Sequence, residues 1–444
     1  MSLSDSKNEK YDLLIITPIC FKKSLSRLVE HKRKFDIETI IVTLNEIYNS
    51  KYFLVNGRDK PEKIKHFIRS CYDKWDIKYV LLVGGDKQLP VRYIYNFGKY
   101  PVVPEIYEPP YISDLYYVDI YDSEGNFSTW DSNNNGIYGE WKGKTAEDKD
   151  IDLKPDVCIG RLPCKNRLEV KIIVNKIINY ERNTFGKSWF KNIVAVGGTT
   201  HPEISSFPDG EADLSEALHH VEDFNHVKLF ASKNNLNRTN IIKSINKGCG
   251  FFVLRGHGNP PFWTTYKTGE TQWLPKFSIY HMNFLNNRSK LPICIASGCR
   301  NSAFDTHISN LIKNPDASFY WMNCIRNCWM WAITQKFTGG AIASIGPSGI
   351  GYAKYEPITG GKADAWSFLI PQFFNEYKID KTALIGEIWQ KLILKYLKKY
   401  PINWNTPSLE YKSDTPKPDV INARTVQQFI LFGDPTLKIG GYKI

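Results

Sequence analysis

The chain has 444 residues, of which 23% are charged and 14% aromatic, and carries a formal net charge of +12. That length supports two or three domains with ample core, and the balance suits a folded soluble protein. Lys and Arg are scattered, with only short runs such as Lys32-Arg33-Lys34, which argues against a nucleic-acid partner, and no apolar run nears a membrane span.

Met1 to Lys10 is polar, lacks an apolar signal core and is expected to be disordered. The expectation is a cytoplasmic protein, or a secreted one whose signal has been trimmed. Nine cysteines stand at 20, 71, 158, 164, 249, 294, 299, 324 and 328. An odd count, with several in apolar runs, favours free thiols in a reducing compartment. Cys324 and Cys328 are four apart and could share a helical face. No second Cys or His pair with zinc spacing accompanies them.

Strand and helix alternate through the first third. Residues 11–17 (YDLLIIT) read as an apolar strand, 21–34 as a helix with Leu25 and Leu28 at helical spacing, and 38–44 (ETIIVTL) as a β-branched strand. Pro61 marks a helix start, with Ile64, Phe67, Ile68 and Cys71 following at helical spacing. Residues 78–84 (KYVLLVG) give a third strand. Such repeats imply right-handed crossovers and a parallel sheet.

Residues 87–154 are rich in turn chemistry. Asp131, Asn133, Asn135 and Gly136 space oxygen ligands at alternate residues before a glycine, as in the first half of an EF-hand-type calcium loop. Lys142 stands where the closing Glu belongs, and Glu140 falls two residues early. The expectation is either a structural calcium site, with Asp114, Asp119, Asp122 or Glu140 adding carboxylates, or an Asn/Asp-rich surface turn.

Residues 156–161 (DVCIGR) form another strand, followed by a helix over 166–182 with Leu168, Ile172, Ile173 and Ile177 on one face. The pattern breaks at 183–191, which sets the expected boundary: one subdomain over 11–186 and a second over 187–444. The alternation then restarts with a strand at 192–198, a helix opening at Glu211-Ala-Asp213, a strand at 227–230 and a helix at 239–246. The Trp-rich stretch 319–337 reads as one buried helix, 339–345 as a strand, and 363–377 and 381–400 as helices. No solenoid repeat or low-complexity tract is present.

The chemistry concentrates in 250–299. Gly250-Phe-Phe-Val-Leu-Arg-Gly-His257-Gly258 and Leu291-Pro-Ile-Cys-Ile-Ala-Ser-Gly-Cys299 are short apolar runs, each ending in a small residue and a reactive one. Both read as buried parallel strands. Side by side, they would place His257 and Cys299 at neighbouring carboxyl ends of one sheet, where open α/β sheets put ligand sites. A lone Cys in such a run is usually a core residue, as Cys294 is expected to be. His257 and Cys299 differ because both sit at a strand exit beside Gly258 and Gly298. Glycine there lets a substrate backbone approach and leaves amide N–H groups for an oxyanion. A Cys and a His meeting there make a nucleophile and its base.

A hydrophobic block plus His-Gly followed by a hydrophobic block plus Cys resembles clan CD cysteine peptidases, and in finer detail the gingipain family. YVLLVGGDKQLPVR at 79–92, SDLYY at 113–117, PDVCIGRLPCKN at 155–166, RGHG at 255–258, SGCRNSAF at 297–304, GGAIASIG at 339–346 and LFGDPTLKI at 431–439 carry the resemblance in the family's order. It implies a caspase-like α/β fold of two subdomains, the second catalytic. It also implies a protein or peptide substrate and chemistry that needs no cofactor. In such enzymes His257 is the base or acid, Cys299 the nucleophile, and the N–H groups of Gly258 and Cys299 the oxyanion hole. The segment Asp209-Gly-Glu211-Ala-Asp213 resembles the gingipain stretch whose second acidic residue, here Asp213, faces a basic P1 side chain. Cleavage after Arg, and after Lys to a lesser extent, is expected. The alternative role for Glu211 and Asp213 is to complement the dipole of a helix first turn.

One position departs from the family. The glutamate that orients the His in gingipains is replaced by Gly197-Gly198-Thr199, with Glu203 and Glu211 the nearest carboxylates along the chain. A Cys–His dyad tolerates that loss. A silent scaffold on the same fold, and a transpeptidase using the same acyl-enzyme, remain open alternatives. A cytoplasmic peptidase is expected to be regulated by a partner or by processing.

Overall fold

Short aliphatic runs become strands buried on both faces. The computed structural model describes residues 10–96, 108–202, 207–313, 315–356, 361–381, 383–409 and 416–444; the expected disorder of the first nine residues lies outside them. The chain divides into two compact units. The first comprises Met1–Val174, Trp389–Ile430 and Asp434–Thr436, and the second Asn175–Ile388, Leu431–Gly433 and Leu437–Ile444.

In the first unit, β1 (Leu13–Thr17) pairs in parallel with β2 (Thr39–Thr43) and with β3 (Tyr79–Val83), and β3 pairs in parallel with β4 (Cys158–Leu162). The order β2-β1-β3-β4 means the chain leaves β1 to one side and then crosses to the other. Helix α1 (Lys22–Arg33) links β1 to β2, and α2 (Lys60–Trp75) precedes β3. Asp59 caps α2 by accepting from Glu62 N at 2.9 Å, and Pro61 lies in its first turn, where a missing N–H costs nothing.

The second unit repeats that winding. β5 (Asn192–Gly197) pairs in parallel with β6 (Asn225–Phe230) and β7 (Phe251–Arg255); β7 pairs with β11 (Ile293–Ala296), and β11 with β12 (Ala343–Pro347). Between β7 and β11 the chain makes an antiparallel sheet of β8 (His257–Asn259), β9 (Phe262–Thr265) and β10 (Leu274–Ser278). The reversal of direction between β5 and β7 opens the crevice in which α/β sheets bind ligands. Thr200 follows β5 and His257 follows β7, so both sit at that crevice.

Four observations bear on the expectations. The division falls at Val174, inside helix α3 (Arg167–Asn183), and Trp389–Ile430 belongs to the first unit. The break in pattern at 183–191 marks the end of a helix and not a change of packing. Leu168 is 66% exposed; the inward face of α3 is Val170, Ile173, Val174, Ile177 and Ile178. Residues 319–337 are not one helix: a short helix (Pro315–Tyr320) ends, a turn follows, and Trp329–Gln335 begins a second. Phe319 and Phe337 are exposed, Cys324 lies in the turn, and Cys328 is the N-cap of the second helix. All nine cysteines are free thiols.

The fourth observation concerns the oxygen-rich loop, expected as either a calcium site or a surface turn, in the first unit. Asp131 Oδ2 accepts from Arg58 Nη1 at 2.7 Å and from Gly136 N at 3.0 Å, and Asp131 Oδ1 accepts from Asn135 N at 2.9 Å. Asn133 Oδ1 also takes Asn135 N, while Asn135 Nδ2 donates to Glu140 Oε2 at 2.7 Å. Lys142 Nζ, at the position expected for a twelfth-residue ligand, donates to Glu140 Oε1 at 2.9 Å. Arg58 and Lys142 therefore supply the positive charge a cation would bring, and the oxygens face donors. With these partners the loop's charge is balanced within the protein. The loop residues form an Asx-rich turn closed by side chain to backbone bonds. The other carboxylates are also engaged in the protein: Asp114 pairs with Arg161, Asp119 accepts from Trp130 Nε1 at 2.9 Å, and Asp122 holds Glu124 N and Asn126 N.

Candidate active site

Two parallel strands in register lead to His257 and Cys299. Ile293 faces Phe251 and Ala296 faces Leu254 across the β11–β7 ladder. Beyond the ladder the two chains continue in step. Ser297 N donates to Leu254 O at 3.2 Å, and Ser297 Oγ accepts from Gly256 N at 3.0 Å. One step further, a Cβ on Gly298 would lie 3.1 Å from the Cα of Gly258, so the two exits touch through glycines. His257 and Cys299 flank that contact, both half-buried.

His257 is oriented by the chain after β5. Its Nε2 bonds Thr200 O. A carbonyl only accepts, so Nε2 carries the hydrogen and, in the neutral ring, Nδ1 does not. Thr200 is itself gripped: its N donates to Asp209 Oδ1 at 2.8 Å and its hydroxyl to Asp209 Oδ2. The preceding residue docks on the hairpin, with Thr199 N donating to Tyr266 O at 2.8 Å and Tyr266 N to Thr199 O at 3.2 Å. The imidazole lies among rings, with centroids at 5.5 Å from Tyr266, 5.5 Å from His201 and 6.0 Å from Trp273.

Cys299 opens a turn held by Asn301. That side chain is fully buried, and its Nδ2 donates to Asn259 O at 2.6 Å and to Phe262 O at 2.9 Å. A residue two positions after the cysteine thus bonds the backbone of the histidine hairpin. A Cβ on Gly258 would come within 2.8 Å of its carboxamide, which is why glycine is required there. Gly351 N donates to Cys299 Sγ at 3.4 Å, and the sulfur lies 3.8 Å from Gly351 O. A backbone N–H aimed at sulfur favours negative charge on it.

The acidic residues have partners inside the fold. Asp213, on helix α4 (Asp209–His219), accepts from Arg255 Nε through Oδ2 at 2.7 Å. Arg255 ends β7 and is buried, whereas the Asp213 side chain is 16% exposed. Glu211 is buried, and its carboxylate takes Ser232 N at 2.8 Å and the Ser232 hydroxyl. Glu211 is therefore engaged in the protein and does not orient His257, which bonds Thr200. Glu203 lies outside the described residues.

The model of peptidase family C25 matches residues 6–440. The chain belongs to peptidase family C25. Gingipain R2 of Porphyromonas gingivalis is 21% identical over 305 residues, covering 67% of this chain and 33% of that protein. The chain thus spans about a third of that relative's length. The crystal structure of the Arg-specific cysteine proteinase gingipain R superposes with a TM-score of 0.63 at 17% identity, over 99% of this chain and 80% of that one. A complex of the pro- and mature domains of RgpB from Porphyromonas gingivalis gives 0.64 at 16%, over 96% and 79%. The fold of this C25 chain is therefore the gingipain α/β fold implied by its motifs.

Within the C25 chain, sequence reading missed Thr200, Asp209, Asn301 and Arg255. Asn301 stands inside SGCRNSAF, where a polar residue amid small ones close to a strand exit is a usable signal. Nothing in spacing marks a backbone carbonyl such as that of Thr200.

Proposed function

We propose that this C25 chain is a cysteine endopeptidase in which Cys299 attacks the scissile carbonyl and His257 Nδ1 moves the proton. The observation that carries the reading is the meeting of the β7 and β11 exits through Gly258 and Gly298, with Asn301 bonding one to the other. The thiol proton passes to Nδ1 as the C–S bond forms. The N–H groups of Gly258 and Cys299 receive the oxyanion. The C–N bond breaks and the leaving amine takes the proton from Nδ1. Water then gives a proton to the same nitrogen and attacks the thioester, which releases the acid and restores the thiol. Thr200 O holds the imidazole in the tautomer this needs, in place of the glutamate of gingipains.

A preference for a basic P1 residue rests on Asp213, with its carboxylate partly exposed beside Arg255. Since Arg255 already bonds Oδ2 and offsets the carboxylate's charge, the preference expected is modest. Glu211 contributes through Ser232 and not through substrate. A protein or peptide is the substrate, and the pro-domain complex of the RgpB relative is a precedent for control by a covering partner.

The test is labelling by an electrophilic peptide ketone, followed by cleavage of a peptide library. The wild type should label and cleave, and Cys299→Ala should do neither. A folded wild type that does not label would favour a scaffold, and a library showing no basic P1 preference would remove Asp213 from the pocket.

A further inference from the structure

A groove of about 950 Å³ adjoins the histidine side of the site. Its walls are Leu236 and Arg238 at the start of helix α5 (Arg238–Lys247), Phe262, Trp273 and Lys276 from the β9–β10 hairpin, and Met322. The groove also reaches Asn259, two residues beyond His257 on β8, and Trp273 stands 6.0 Å from the imidazole. No residue of the Cys299 turn lines it.

That placement sets the direction of a bound peptide, given the peptidase reading above on which this inference rests. The histidine protonates the leaving amine, so the half of the substrate beyond the scissile bond passes the imidazole. A groove flanking His257 and not Cys299 therefore lies on the leaving-group side. Its chemistry is mixed in a specific way. Trp273 is 47% exposed and packs on Phe262 with centroids 5.9 Å apart, a preformed aromatic surface. Lys276 Nζ lies 4.4 Å from the Phe262 ring, and Arg238 Nε donates to Lys276 O at 3.2 Å, so two cations flank the rings. Among the described residues, no acidic side chain lines the groove. A flat apolar wall with convergent positive charge accepts a side chain that is apolar and a neighbour that is anionic.

We infer that this groove is a leaving-group-side subsite, taking an aromatic or large apolar side chain together with an adjacent carboxylate. Trp273 and Phe262 cover the apolar side chain; Arg238 and Lys276 receive the carboxylate. An acidic residue in a longer chain and the carboxyl terminus of a short one offer the same charge.

The experiment uses internally quenched peptides with one common half before the scissile bond and Phe-Glu, Phe-Lys, Ala-Glu or Ala-Lys after it. Each is made with a free and with an amidated carboxyl terminus, to separate the two sources of charge. Wild-type kcat/KM should favour Phe-Glu over Ala-Lys by about tenfold, the value of burying one large apolar side chain. Arg238→Glu with Lys276→Glu should invert the Phe-Glu to Phe-Lys ratio, and Trp273→Ala should flatten the Phe to Ala ratio. Ratios within one variant cancel any common loss of catalysis. A second readout is calorimetric binding of the free Phe-Glu product peptide to Cys299→Ala, weakened in the background of Lys276→Glu. If the wild type fails to label with ketone yet binds this peptide in a Lys276-dependent way, the peptidase reading and the leaving-group-side assignment both fall, and the groove stands only as a binding site for an apolar-acidic peptide. Equal ratios in wild type and variants, or peptide binding indifferent to Lys276, would overturn the subsite.

Discussion

The two units of the chain are wound alike and end differently. The first runs in the order β2-β1-β3-β4, and the second repeats the same step to either side of its first strand and then adds one more strand. Both place an arginine near the end of a strand and pair it with an aspartate. In the first, Arg161 bonds Asp114 from Nε and Nη2 at 2.6–2.9 Å and Gly84 O from Nη1 at 3.0 Å, with side chains 0% and 3% exposed. In the second, Arg255 Nε bonds Asp213 Oδ2 at 2.7 Å, and the aspartate side chain is 16% exposed. Cysteines follow the same contrast. Cys164, past the end of β4, is buried and its thiol is pushed up by burial, whereas Cys299 is half-exposed beside a backbone N–H. A strand exit is thus only an opportunity; what fills it decides between a sealed joint and a reactive corner.

The largest break in this symmetry is catalytic. His257→Ala and Cys299→Ala should each lower kcat/KM by on the order of 10⁴, and the double variant by little more, since one catalytic unit is lost only once. Their melting curves should match the parent. Cys164→Ala should do the reverse, keeping turnover and losing about 1 kcal/mol of stability. Turnover surviving in Cys299→Ala would end the assignment.

Next come the ion pairs. Asp114→Ala strands a buried guanidinium and should lower unfolding free energy by about 3–5 kcal/mol. Asp213→Ala should cost less in stability, about 1 kcal/mol, because solvent reaches the aspartate. It should cost more in rate, since Arg255 lies next to the Gly256–Ser297 contact. Equal stability losses in denaturant titrations would contradict the sealed-versus-open distinction.

Asp209 acts through Thr200 on His257 and is a positioning residue. Asp209→Ala should lower kcat about tenfold with KM little changed, the scale expected when a general base is misplaced. Asp209→Asn keeps an acceptor for Thr200 N and should restore much of the rate. Unaltered kcat in both variants, measured on one peptide, would show that the carbonyl needs no such support.

The smallest effects belong to the Asx-rich turn. A chelator should leave the melting temperature unchanged, while Arg58→Ala should lower stability by about 1 kcal/mol through the bonds to Asp131 and Asn134. A calcium-dependent rise in melting temperature would return the metal to this loop.

Much of this layout could be read in advance, and the reasons are particular. LLIIT, FFVLR and ICIA are apolar at every position, so burial on both faces was written in them. His257 and Cys299 were legible because each follows such a run beside a glycine. The failures came where partners are distant in sequence. Nothing near Asp131 announces Arg58, 73 residues earlier, and nothing near Asp213 announces Arg255, 42 residues later. Alternating oxygens describe a calcium loop and an Asx turn equally well until the source of positive charge is known. The Trp-rich stretch failed for another reason: its apolar residues serve two short helices and a turn, so no single period runs through it.

The glycine contact between the two exits sets a mechanical tolerance. A Cβ on Gly298 would collide with Asn301 Oδ1, and one on Gly258 would press on the same carboxamide. His257 and Cys299 are therefore spaced by a joint with no slack, thinner than any side chain. A joint of that kind has two settings, closed or apart, and nothing graded between them. On warming, the enzyme should keep its full rate law until the second unit opens, and then lose it in a single step.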